Sequence, residues 1–257
     1  MHRTPQRRAT RHLAGRLSLV TASLSVVVGT VVLSAPAATA ATAGAGTASH
    51  PTCTPATVAV AQQQLEAALA ARVADLGTLT GDVAAAAALT PADRSALTTT
   101  LTTTTAGIDA LVQKAPADTT CTAVWQDATS MVREYRVFAV VAPQTHLAIA
   151  GDATDGIEAT LAGDEPAIEG AIDTAARGGV VVTAARASFA DLEAQVTAAQ
   201  GASGGVPATV LAQTPASYPG STPVLPVLVA ARDGLRTSYG ELKTAAADLR
   251  AVVTDLR

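Results

Sequence analysis

Apolar side chains recur at steps of three and four residues along most of the chain beyond residue 54, the spacing that lines one face of an α-helix. After Pro55, the series Leu65, Leu69, Val73, Leu76, Leu79 and Val83 predicts a first helix, weakened but not broken by Gly77 and Gly81. Thr90-Pro91-Ala92-Asp93 is a helix start, with Thr as N-cap, Pro in the first turn and an acid three residues on. Leu97, Leu101, Ile108 and Leu111 carry that helix to Pro116. The threonines at 98–100 and 102–105 have poor helix propensity, so strand is the competing reading there. The apolar stripe runs straight through them, and helix is preferred.

A third helix is predicted over 118–142, with Val124, Ala128, Met131 or Val132, Tyr135, Phe138 and Ala142 facing inward. It holds Trp125, Tyr135 and Phe138, three of the six aromatic residues, so the centre of the core is expected here. Pro143 removes a backbone donor and disfavours helical geometry at Ala142. Either the helix kinks or restarts there and continues through Leu147, Ala150, Ile157 and Leu161, or 137–142 and 145–150 pair as a short hairpin. The kinked or restarted helix is favoured.

Asp164 and Pro166 are read as the start of a short helix ended by Gly178-Gly179. Val182, Ala185, Phe189, Leu192, Val196 and Ala199 then define another helix without a slip. Residues 201–222 read as a Gly/Pro/Ser-rich loop, with Val210-Leu211 tucking one turn against the bundle. The strongest pattern spans 223–256, where Leu225, Leu228, Leu235, Leu242, Leu249 and Leu256 keep heptad register. The fold class that follows is all-α: an elongated antiparallel helical bundle with coiled-coil-like packing, irregular or hairpin-like around Pro143. One domain is expected over 55–257.

The first forty residues follow another logic. Arg3, Arg7, Arg8, Arg11 and Arg16 precede an uncharged run from Leu17 to Ala35, and Ala38-Thr39-Ala40 has the small-x-small form of a cleavage site. Residues 1–40 are therefore read as a signal peptide for the general secretory route, a retained membrane anchor being the alternative. Residues 41–54, rich in Ala, Gly, Thr and Ser, are read as a flexible leader. Cleavage would leave 12 basic against 21 acidic residues. That balance argues against nucleic acid or an anionic membrane surface as partner. The expected partner is a protein or another cell-envelope component, with no membrane contact after cleavage. The absence of Asn, with only two Lys, fits a high-GC genome such as that of an actinobacterium.

Cys53 and Cys121 are the only cysteines, and an even pair in an exported chain reads as a disulfide. Closing that loop contributes on the order of 4 kcal/mol by chain entropy.

Tyr135-Arg136-Val137-Phe138, Pro143, His146-Leu147 and Asp152, together with Tyr218-Pro219 leading into the leucine-repeat helix, resemble segments of secreted helical proteins of actinobacteria. That group has no established activity. The resemblance implies export and a helical fold, and nothing about chemistry.

Candidate chemistry is sparse. Gly201-Ala202-Ser203-Gly204-Gly205 matches G-x-S-x-G, but a predicted helix precedes it, a Pro-containing loop follows, and no His lies downstream. It is read as a linker. Tyr135, Arg136, His146 and Asp152 are candidates for a polar cluster beside the Pro143 break, able to bind a small molecule, with structural hydrogen bonding as the plainer role. Asp152, Asp155 and Glu158 begin a run of seven acids without a base, a candidate weak divalent-cation site or else a solvated face. No catalytic residue, resident metal or cofactor is predicted, and the expected role is non-enzymatic.

Overall fold

The computed structural model describes residues 53–218 and 224–257, and among these there is no strand. Residues 1–40, read above as a signal peptide, and nearly all of the expected leader lie outside the described residues. Seven α-helices follow in order: α1 (Pro55–Ala85), α2 (Pro91–Lys114), α3 (Cys121–Arg133), α4 (Ala142–Arg177), α5 (Thr183–Ser203), α6 (Val206–Leu211) and α7 (Val224–Asp255). The chain is all-α, as its periodicity predicts.

Helix starts are set locally by hydroxyl caps. Thr54 accepts from Thr57 N, Thr90 from Asp93 N and Thr120 from Ala123 N at the heads of α1, α2 and α3. Each satisfies an amide that the helix itself leaves without a partner. The threonine run is helical, and Thr98 and Thr99 donate their hydroxyls to the carbonyls of Arg94 and Ser95 one turn back. Arg94 closes the preceding helix by donating to the carbonyls of Val83 and Ala84 at the end of α1. A guanidinium there also meets the negative end of the helix dipole.

The break predicted at Pro143 falls earlier. α3 stops at Arg133, Arg136 takes left-handed backbone geometry (φ 43°), and one wide π turn, Val137–Val141, leads into α4. Pro143 sits in the first turn of α4, where a missing N–H is best tolerated. No hairpin forms. The break also re-phases the apolar pattern. Val137, Val140 and Val141 turn inward, while Phe138 is 50% exposed and Trp125 and Val132 face out on α3. The expectation that the aromatics of this stretch mark the core centre is thus overturned.

α4 also runs without interruption through Pro166, where a separate short helix was expected. Ile168 and Ile172 lie in register with Leu161, and burying that one stripe outweighs a single lost backbone hydrogen bond. The stretch 201–222 is a loop only in part. Residues 201–203 finish α5, Val206–Leu211 form α6, and Val206, Pro207 and Val210 are buried.

The helices build two apolar cores. A wide end packs α1, α2, α3, the first part of α4, α6 and the first turns of α7 around Leu69, Leu76, Leu97, Ile108 and Val140. A narrow end packs the rest of α4 with α5 and the rest of α7 around Leu161, Ile172, Leu192, Leu242 and Leu249. Successive long helices there are antiparallel. Asp173 on α4 pairs with Arg186 at the head of α5, while Glu158 meets Ser203 at its foot. α5 and α7 share the most extensive helix contact, and at Gly234 an added Cβ would lie 2.5 Å from the Ala202 carbonyl oxygen. Only a glycine lets the two backbones approach this closely. Within the heptad series of α7, Leu228, Leu235, Leu242 and Leu249 are buried, and Leu225 faces out.

Candidate functional site

Cys53 and Cys121 form a disulfide, as their pairing in the sequence suggests. It ties the residues just ahead of α1 to the first residue of α3. Cys53 and Thr54, counted in the flexible leader by composition, are thereby part of the domain's framework: one is covalently fixed, the other caps α1.

The polar cluster expected from Tyr135, Arg136, His146 and Asp152 does not assemble. Tyr135 turns to α2, where its ring occupies the space a side chain at Gly107 would need. The Arg136 guanidinium lies 4.3 Å from the centre of the Tyr218 ring, a cation–π contact across the bundle. His146 is half-buried on α4, and its side chain makes no hydrogen bond or ion pair among the described residues. Asp152 accepts from Thr90 N at 2.7 Å and so anchors the head of α2. Six residues of helix separate His146 from Asp152, placing them roughly 9 Å apart along the axis and about 120° apart around it. Helical geometry alone disperses the group.

The cation site expected from Asp152, Asp155 and Glu158 does not form either, although residues three apart are neighbours on a helix. Their side chains fan around α4: Asp152 toward the head of α2, Glu158 toward α5 and α7, with Asp155 half-buried between them. Among the described residues, no group of three or more His, Cys, Asp or Glu side chains is placed to hold a metal ion. A solvated face is not the outcome either, because Asp152 and Glu158 are buried. Burial raises the Asp152 carboxyl above its ordinary range. The Thr90 amide opposes that shift, and nearby Asp93 adds to it. Asp155 is raised by burial first and then by Glu158, Asp152 and Asp93.

Glu158 belongs to a different construction, one the sequence did not reveal. Its Oε1 accepts hydrogen bonds of 2.8 Å from both Ser203 Oγ on α5 and Ser238 Oγ on α7, and all three residues are buried. The node lies at the seam between the two apolar cores and joins three helices through one oxygen. It also accounts for the G-x-S-x-G match. Ser203 has no exposed surface and sits at the foot of a helix, so it is neither the linker residue expected nor a strained, accessible nucleophile.

Two further buried polar groups organise the wide end. Gln144 Nε2 donates to the carbonyls of Val210 (2.9 Å), Leu211 (3.2 Å) and Gln213 (2.8 Å), capping the short α6 from α4. In the corner between α2 and α3, Asp118 and Asp127 are both buried, and Lys114 pairs with Asp127 Oδ1. Gln62 of α1 donates to the Ala115 carbonyl in the same corner at 3.0 Å. A lone Asp or Gln in a polar loop or on a helix gives no periodic signal of burial. The one available clue was Asp127, which falls on the inward stripe of α3, three residues after Val124.

The outward apolar residues of the wide end form the other candidate. Trp125, the one tryptophan of the chain, is 66% exposed, and Val132 lies two turns further along the same flank of α3. Phe138, just past the break, stacks on the Arg72 guanidinium of α1 at 4.9 Å. Burial of Arg72 lowers its pKa from the usual arginine value, with Asp75 opposing. No helix among the described residues is long and apolar enough to cross a membrane. Comparison with protein-family models, with curated proteins and with solved structures finds no match to the chain.

Proposed function

We propose that this protein is an exported, non-enzymatic helical module that acts by binding another protein outside the cytoplasm, and that Trp125, Val132 and Phe138 form the contact surface. The observation that carries the reading is the placement of Trp125. A chain with six aromatic residues leaves its single tryptophan and one of its two phenylalanines at least half exposed on neighbouring elements of one end. Burying those rings within the fold would stabilise it by several kcal/mol, so their outward position favours use in association. Tryptophan is also among the residues that most often dominate interface energetics. The partner that fits is a protein presenting its own apolar patch, since the deficit of basic residues disfavours polyanions. The disulfide and the basic-then-apolar amino terminus support an extracytoplasmic setting.

The test is a capture experiment with residues 41–257 on cell-envelope and culture fractions, run beside a Trp125→Ala/Phe138→Ala double variant. A protein retained by the parent and lost from the still-folded variant, with a blue shift of Trp125 emission on binding, is the expected result. Equal capture by both would overturn the assignment of the surface. Unchanged emission on addition of the captured protein would do the same.

A further inference from the structure

The corner between α2 and α3 contains an arrangement that no structural role accounts for as it stands. Asp118 is 7% exposed and Asp127 is 2% exposed. Each carboxyl has an Oδ2 atom shut off from solvent and without a hydrogen-bond partner. The two groups lie within hydrogen-bonding reach of each other. Two ionised carboxylates cannot face one another in this way, because both are acceptors and like-charged. Leaving a buried charged acceptor unsatisfied exacts its full desolvation penalty.

We propose that Asp118 and Asp127 share a single proton, and that this proton latches the α2–α3 corner. With the proton on Asp118, its hydroxyl donates to Asp127 Oδ2, and both orphaned oxygens gain a partner at once. Asp127 Oδ1 keeps its ion pair with Lys114. One cation, one carboxylate and one neutral carboxylic acid then sum to zero charge, which is the state a buried corner favours.

The surroundings agree. Burial pushes the Asp118 carboxyl above its ordinary value, the facing Asp127 pushes it further, and Lys114 alone pulls it down. Lys114 and Asp127 are the charged groups that act on Asp118. α1 presents a neutral amide, Gln62, whose donor is spent on the Ala115 carbonyl. The nearby cysteines are joined as a disulfide and do not titrate. Removing the shared proton leaves two buried negative charges against one solvent-exposed ammonium. The segment 115–120 must then open toward water, while the disulfide keeps α3 tethered to the head of α1.

The experiment is a carbon-13 NMR titration of the aspartate side-chain carboxyls in residues 41–257 with the disulfide intact. The expected result is an Asp118 step above the ordinary carboxyl range. In Asp127→Asn, the Asp118 step moves toward the usual range. Asp118→Asn puts an amide donor where the proton was, so the corner closes at every pH. Each unit by which the shared proton is held above the ordinary value appears as about a tenfold fall in the parent's stability constant as pH rises through that range. The Asp118→Asn variant lacks that part of the fall. An Asp118 step at the ordinary carboxyl value would overturn the proposal, and that readout on the parent chain needs no variant to fold. An Asp118 step unmoved by Asp127→Asn would overturn it as well.

Discussion

The two ends of the molecule solve the same burial problem by different means. The narrow end is three antiparallel helices around an aliphatic core, with Phe189 as its buried aromatic ring and, beyond the seam at Glu158, carboxylates such as Glu165 and Asp248 that are only partly buried. The wide end has more helices but shorter and more broken ones, joined by a left-handed residue and a π turn. It carries Thr104, Asp118, Asp127, Gln144, Thr145, Asp152 and Thr154 as buried polar groups, and a disulfide besides. Where long helices run side by side, non-directional apolar packing is sufficient. Where chain segments meet at corners, carbonyls and amides at helix ends need partners, and buried side chains supply them.

Breaking the disulfide tests that contrast with the largest effect, which falls on one end. Replacing Cys53 and Cys121 by Ser is expected to lower stability by about 4 kcal/mol. Hydrogen exchange would show protection lost first in α1–α3 and retained in α5 and the second half of α7. Uniform loss would mean the two cores unfold as one unit.

A smaller effect is expected at the seam. Ser203→Ala with Ser238→Ala leaves the buried Glu158 side chain without its two donors and is expected to cost about 1.5 kcal/mol for each lost bond, about 3 kcal/mol in all. Denaturant titration checks this, with Ser238→Thr as a variant that keeps the hydroxyl. The double substitution should also decouple the ends, so that the unfolding transition broadens or splits.

The smallest effect is the pH dependence, and its sign is opposite to the common one for carboxylates. Every resolved carboxyl shift, at Asp118, Asp152, Asp155, Glu165 and Asp248, is upward, and burial is the first cause in each. A group with a raised folded pKa binds its proton more tightly folded than unfolded. Its contribution is therefore greatest below the ordinary value and is lost as pH rises through the folded one. This part of the stability should therefore fall as pH rises from the ordinary carboxyl value of about 4, which the thermal midpoint measured across that rise checks. Three of the five groups, Asp118, Asp152 and Asp155, belong to the wide end or its boundary, so the exchange rates of that end should carry most of the change.

The same contrast explains what could be read from the sequence. In α5, Ala185, Phe189, Leu192, Val196 and Ala199 are all buried as the spacing predicts, and four of the six leucines of the α7 heptad series are too. Those helices are regular, so period determines face. The wide end was misread where its geometry departs from the ideal helix. A single left-handed residue at Arg136 shifts the phase, sends Phe138 outward and brings Val137, Val140 and Val141 in. The buried polar residues were invisible for a related reason. Glu158 looks like one member of an acidic run, and Ser203 and Ser238 like ordinary small residues, until the fold brings three distant positions to one point. Of the candidate residues, the cysteine pair was legible because covalent pairing depends on chemistry and count. The Tyr135–Arg136–His146–Asp152 group was not, because nearness in sequence does not fix direction around a helix axis.

The disulfide also decides how the domain bears a pull. Tension applied to the backbone ahead of Cys53 passes through the sulfur bridge straight into α3. It bypasses α1 and α2, which lie within the closed loop and are shielded from load. Without that bridge, the same tension would peel α1 away turn by turn from its exposed end. A tethered or surface-held form of this protein would therefore yield at the contacts of α3 with its neighbours, and the longest helix of the wide end would be among the last to feel the strain.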